Sequence, residues 1–190
     1  MTPRTDDLYQ LPADLPVPVD DGAARHLVGA AVPAIALPST RGGSVDLQAH
    51  SGRTIVYGYP RTGLPDRDPP EGWDRIPGAR GCTPQSCAFR DHNAEIEALG
   101  ARVFGLSTQT TEYQREVVER LHLPFPLLSD ASFRLADAMK LPTFEIASQR
   151  LLKRLTLVIR DGAVEHVIYP VFPPDRNASD VVAWLEAHRG

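Results

Sequence analysis

Apolar strand-like runs alternating with amphipathic stretches, then a hairpin and a last helix, predict an α/β protein whose helices flank a mixed sheet. Three observations carry this prediction. Residues 54–59, centred on Ile55-Val56-Tyr57, read as a buried central strand stopped by Pro60. Phe89, His92, Asn93, Ile96 and Leu99 recur at helical spacing, so they mark the inward stripe of a helix. Leu155, Leu157 and Ile159 alternate with Arg154, Thr156 and Val158 ahead of Asp161-Gly162, the signature of a strand entering a β-hairpin.

The elements follow in order. Residues 1–26 carry Pro3, Pro12, Pro16 and Pro18 among Asp6, Asp7, Asp14, Asp20 and Asp21, a composition that favours an extended or disordered arm. The domain is expected over residues 27–190. Ala34 to Leu37 and Ser44 to Leu47 are short strands joined at Arg41-Gly42-Gly43. Between Pro60 and Pro84 the prolines and Gly63, Gly72, Gly78 and Gly81 predict an irregular but ordered loop, pinned by Trp73 and Ile76. A helix from about Cys82 to Leu99 ends at Gly100, and a strand spans 102–107. Thr110 or Thr111 caps a helix running to about Leu121; residues 125–128 are extended; Asp130 caps a helix over 131–139. The hairpin 153–169 and a helix from Asn177 to His188, packing through Val181, Val182 and Leu185, close the chain.

With 190 residues and no internal repeat, one domain with a sizeable core is expected. A net charge of −4 gives no electrostatic case for nucleic acid or an anionic membrane as partner. The first residues show no apolar run of a signal peptide, and no stretch has the length of a membrane span, so a cytoplasmic protein is expected. In a reducing compartment, cysteines are more often catalytic or redox-active than permanently bridged.

Both cysteines of the chain lie in Gly81 to Asp91. Pro84 is tolerated only in the first turn of a helix, which places Cys82 at the helix N-terminus. There it faces unpaired amides and the positive end of the macrodipole, both of which favour thiolate over thiol; Cys82 is the better nucleophile of the two. Cys87 is five residues on, roughly 8.6 Å away between Cα atoms in an intact helix, beyond the roughly 7 Å that a disulfide spans. Either the two never pair or the first turns unwind when they do. Two unrelated core cysteines remain a reading of this spacing. A zinc site would have to recruit from His26, His50, His92, His122, His166 and His188, none of which form a spaced pair. Thiol–disulfide exchangers normally use a two-residue gap rather than the four residues found here.

The chain resembles the peroxiredoxins, and within them the Q type, also called bacterioferritin comigratory protein, over roughly residues 27–189. The carriers are Val28-Gly29 to Leu37, the strand ending Tyr59-Pro60, the Gly-Cys-Thr-x-x-x-Cys-x-Phe-Arg-Asp run from Gly81, Phe104 to Ser107, Pro126 to Asp130, and the run from Arg154 to Ile159. The resemblance implies a thioredoxin-like fold and reduction of hydrogen peroxide and organic hydroperoxides, with no cofactor and no metal. It makes Cys82 the peroxidatic cysteine and Cys87 the resolving one, joined in an intramolecular disulfide that thioredoxin or glutaredoxin reduces. It also gives Arg154 the task of stabilising charge on the splitting O–O bond; without it, Arg154 reads as a surface arginine beside Arg150 and Lys153. Arg80 is a second candidate on proximity alone.

The sequence also departs from that family. The family threonine three residues before the cysteine is Ala79 here, and Pro60-Arg61-Thr62 looks like the start of the family loop, which makes 60–81 an inserted active-site loop. Pro60 and Thr62 are therefore site candidates, Thr62 reaching the sulfur if the insertion loops out; Thr83 or a water are the alternatives. The family's acidic residue in the cysteine turn is Gln85. His92, about 15 Å along the helix from Cys82, reads as a core or interface histidine, and Tyr57, Tyr59 and Phe89 as packing residues. Two other functions use the same cysteines: a disulfide oxidoreductase with little peroxide activity, and a redox sensor or binding module whose inserted loop meets a partner. Monomer and homodimer are both compatible with the sequence.

Overall fold

The computed structural model describes residues 7–189. Its centre is strand β3 (Arg53–Gly58), with β1 (Ala36–Pro38) and β2 (Ser44–Asp46) forming a small antiparallel pair before it. Then come helix α1 (Cys82–Ala98), β4 (Ala101–Ser107), α2 (Thr111–Leu121), β5 (Leu127–Ser129) and α3 (Arg134–Met139). A hairpin of β6 (Thr143–Ile146) and β7 (Gln149–Leu152), a second of β8 (Leu155–Arg160) and β9 (Ala163–Ile168), and α4 (Asn177–Ala187) complete the chain.

The five-stranded sheet runs in the order β5-β4-β3-β8-β9. β3 is parallel to β4 and antiparallel to β8, so the sheet is mixed as expected. Apolar side chains occupy both faces of β3 because both are covered. Ile55 and Tyr57 pack with Phe89 and Ile96 of α1, Val117 and Leu121 of α2, and Val181 and Leu185 of α4. Val56 faces the other way, onto Leu157 and Ile159 of β8, Leu135 of α3 and Leu27 and Leu37 from the segment before β3. β8 alternates as predicted, with Val158 on the α1 and α4 side.

Four expectations need correction. The helix before β6 starts at Arg134, not at 131, because Phe133 takes a left-handed φ of 58°. Asp130 still caps it from a distance, its carboxylate accepting from the Leu135 and Ala136 amides. His92 is not a core histidine: its side chain is 37% exposed and bonds Glu95 at 2.9 Å, while Phe89, Asn93 and Ile96 form the buried stripe. The β6–β7 hairpin has no sequence signal, since its turn uses Ala147 and Ser148 at left-handed φ where Asn-Gly is the recognisable pair. Arg154 is no surface residue; it is 3% exposed.

The described part of the N-terminal arm, residues 7–26, packs along the domain. Asp21 is fixed by Lys153 Nζ at 2.6 Å and by the Tyr169 hydroxyl at 2.8 Å, and these contacts hold its carboxyl well below the usual carboxylate range. Pro18 packs over Gly78, and Leu11 over Gly81. Residues 1–6, with Pro3 and Asp6 of the predicted arm, and Gly190 lie outside the described residues.

Candidate active site

The 59–81 segment leaves the end of β3, crosses the surface and returns to the start of α1. Trp73 begins a short 3-10 turn, Trp73–Arg75, and is buried with Ala79 and Leu151, with Ile76 packed alongside, so the predicted anchors do hold this loop. Gly81 ends it in a left-handed conformation at φ 102°, where a Cβ would stand 2.7 Å from both Leu11 and Pro174; only glycine fits that corner. The corner aims the chain so that Cys82 is the first residue of α1, 4% exposed.

Arg154 comes from the start of β8 to meet it. Its Nη2 donates to the Ala79 and Arg80 carbonyls, each at 3.1 Å, and lies 3.2 Å from Cys82 Sγ; its Nε donates to the Gly78 carbonyl at 3.2 Å. Nη1 donates to Gln85 Oε1. Gln85 in turn donates to Asn177 Oδ1 at 2.8 Å, which also accepts from the Thr156 hydroxyl at 2.7 Å. Gln85, Thr156 and Asn177 are fully buried. No carboxylate pairs with Arg154 among the described residues, so its permanent charge is directed at the sulfur rather than neutralised. An acidic residue at position 85 would have taken part of that charge.

Arg80, the second candidate, points its guanidinium at Asp74, 3.2 Å away, and at the Asp7 carbonyl. Thr62 is fully buried, its amide and hydroxyl both donating to Gln109 Oε1 at 3.0 and 3.2 Å, and its carbonyl accepting from the Tyr113 hydroxyl at 2.9 Å. Pro60 is buried at the loop entrance. Over Cys82 lies a cavity of about 90 Å³ walled by the arm and the loop, through Leu8, Arg61, Leu64, Pro70 and Trp73, with Tyr113 from α2. Residue order alone gave no sign of Asn177, Gln109, Tyr113 or Leu8 at the site. Asn177 sits 92 residues from Gln85, and neither belongs to a recognisable pattern.

Both cysteines are free, and both lie in the unbroken helix α1. Cys87 is half-buried among the apolar side chains that pack on β3, and burial pushes its thiol up from the ordinary value. It is therefore protonated at neutral pH. In a Cys82→Ser variant, the remaining thiol should react with iodoacetamide about tenfold faster for each pH unit between 7 and 9, without a plateau in that range. A plateau below pH 8 in the rate profile would contradict this.

A Redoxin family model matches residues 27–185. Peroxiredoxin Bcp of Escherichia coli (strain K12) is 29% identical over 84% of this chain and 96% of its own length. The chloroplastic peroxiredoxin Q of Oryza sativa subsp. japonica is 29% identical over 84% of this chain, and the match spans just 66% of that relative. Among solved structures, peroxidoxin BcpB of Mycobacterium tuberculosis superposes with a TM-score of 0.70 at 28% identity, over 86% of this chain and 98% of that one. Peroxiredoxin Q of Xanthomonas campestris, at 23% identity and a TM-score of 0.66 over 94% and 99% of the two chains, shares the fold.

Proposed function

The chain belongs to the Redoxin family, within it to the Q-type peroxiredoxins, and on that premise we propose a thiol-dependent peroxidase that works through Cys82 and Cys87. The observation that carries the assignment of residues is the Arg154 guanidinium 3.2 Å from Cys82 Sγ at the start of α1, with Cys87 in the same helix.

The Cys82 thiolate attacks the terminal oxygen of a hydroperoxide. An S–O bond forms and the O–O bond breaks. The leaving alkoxide or hydroxide takes a proton to become alcohol or water, and a sulfenic acid stays on Cys82. Arg154 stabilises the negative charge spread over sulfur and oxygens as the bond splits, and it is already fixed in place by loop carbonyls and Gln85. Thr62 and Pro60 act at one remove, shaping the loop that carries the site.

The Cys87 thiol then attacks the sulfenic sulfur, expelling water and leaving a disulfide. In α1 the two Cα atoms stand roughly 8.6 Å apart, so the first turns unwind for this step. Unwinding releases Gln85 from Arg154 and Asn177, and Ser86 from the Tyr57 hydroxyl. A dithiol of the thioredoxin or glutaredoxin kind returns the disulfide to two thiols, which suits a reducing compartment such as the cytoplasm. Both cysteines belong to one chain, so the cycle closes in a monomer or in either half of a homodimer. No helix among the described residues is long and apolar enough to cross a membrane.

Intact mass and free-thiol counts after one equivalent of hydrogen peroxide test the proposal. Wild type is expected to lose both thiols and two mass units within seconds. Cys87→Ser should trap a sulfenic acid, and Cys82→Ser should not react. Wild type that keeps both thiols would instead fit a disulfide exchanger or a redox sensor.

A further inference from the structure

Position 79 is alanine, so no hydroxyl approaches Cys82 from three residues upstream. The Thr62 hydroxyl donates to Gln109. Two hydroxyl-bearing residues stand in the wall of the cavity over the sulfur, Tyr113 and Thr83. The Tyr113 hydroxyl is committed to the Thr62 carbonyl at 2.9 Å. Thr83 remains: it is 2% exposed, and its Oγ1 has no hydrogen-bond partner. Leaving a buried hydroxyl unpaired is costly, and a ligand that supplies the missing bond is one reason for such a group to be kept.

The place is right for that ligand. Thr83 follows Cys82 in the first turn of α1, where backbone amides precede the first intrahelical bond, from the Gln85 amide to the Gly81 carbonyl. A cavity of about 90 Å³ accommodates a hydroperoxide group, since a water occupies about 30 Å³ in the liquid. Leu8, Leu64 and Trp73 give part of its wall an apolar surface.

We propose that Thr83 is a catalytic residue whose hydroxyl hydrogen-bonds the bound hydroperoxide and holds its terminal oxygen against the Cys82 sulfur. The hydroxyl accepts the peroxide O–H while Sγ attacks, so it acts on the substrate and not on the thiolate. It forms no covalent bond, and the electron count of the sulfur–oxygen exchange is unchanged. This role rests on the peroxidase reading of the site.

Thr83→Val removes the hydroxyl at nearly constant volume, and Thr83→Ser keeps it. Two rates are measured for each protein at one pH: oxidation of Cys82 by hydrogen peroxide, followed by tryptophan fluorescence, and its alkylation by iodoacetamide. Thr83→Val should slow oxidation roughly 10- to 100-fold while alkylation stays within about twofold, and Thr83→Ser should stay within about threefold of wild type in both. Thermal stability of Thr83→Val should be unchanged or higher, because an unpaired buried hydroxyl is being removed. The proposal fails if Thr83→Val oxidises at the wild-type rate, if both rates fall together, or if that variant is destabilised or unfolded, since each points to a structural hydroxyl. Wild type that is alkylated readily but ignores peroxide would overturn the peroxidase reading itself, and the role of Thr83 with it.

Discussion

Arg154→Met is expected to lower the second-order rate constant for peroxide by roughly 10²- to 10³-fold, the cost of losing a fixed donor aimed at developing charge. Methionine matches the aliphatic length of arginine but offers no donor, so the Gly78, Ala79 and Arg80 carbonyls and the Cys82 sulfur all lose their partner together. Arg154→Lys separates charge from geometry. An ammonium keeps the cation but is a single point with three donors, whereas the guanidinium makes contacts along three nitrogens. Lysine should therefore recover only part of the rate and remain at least about tenfold below wild type. Stopped-flow oxidation on freshly reduced protein, with circular dichroism to verify folding, decides the matter. A folded Arg154→Met protein within threefold of wild type would remove Arg154 from the mechanism.

Gly105→Val should cost a large part of the protein's stability. Gly105 pairs with Tyr57 in the parallel β3–β4 ladder, and a Cβ there would come within 2.8 Å of the Tyr57 ring and collide with Leu127. Both neighbours are fully buried, so neither can swing away. Overpacking of this kind costs about 3 kcal/mol, or a fall in Tm of roughly 6–12 °C for a chain of this size. The damage reaches the site, because Tyr57 stacks on Phe89 of α1 at 4.3 Å and donates to Ser86 at 3.2 Å. Displacing the ring tilts the helix that carries Cys82 and Cys87, and the peroxide rate should fall along with Tm. A differential-scanning trace that coincides with wild type would show that the sheet can open around position 105.

The same route from packing to chemistry explains which parts of the molecule could be read in advance. Strand β3, helix α1 and the β8–β9 hairpin were legible because each is specified by its own residues: a continuous apolar run, a three-and-four stripe begun by Pro84, and a period of two around Asp161-Gly162. Cys82 at a helix start, and a disulfide out of reach of Cys87 without unwinding, follow from proline and helix geometry alone. The β6–β7 hairpin escaped because Ala147 and Ser148 are held at left-handed φ by the strands they join and not by any preference of their own.

The surroundings of the sulfur could not be read this way. Arg154 lies 72 residues from Cys82 and is buried only because β8 runs beside β3 in the folded sheet. Gln85 became its clamp because α4 brings Asn177 to the far side of the same helix turn. The arm, polar and proline-rich, carries no internal pattern, and its course is dictated by Lys153, Tyr169 and the corner at Gly81. Local order in a sequence reports the elements that satisfy themselves within a few residues. Contacts between residues far apart exist only when the free energy of the whole core brings those elements together, and the chemistry at Cys82 is built from contacts of that second kind.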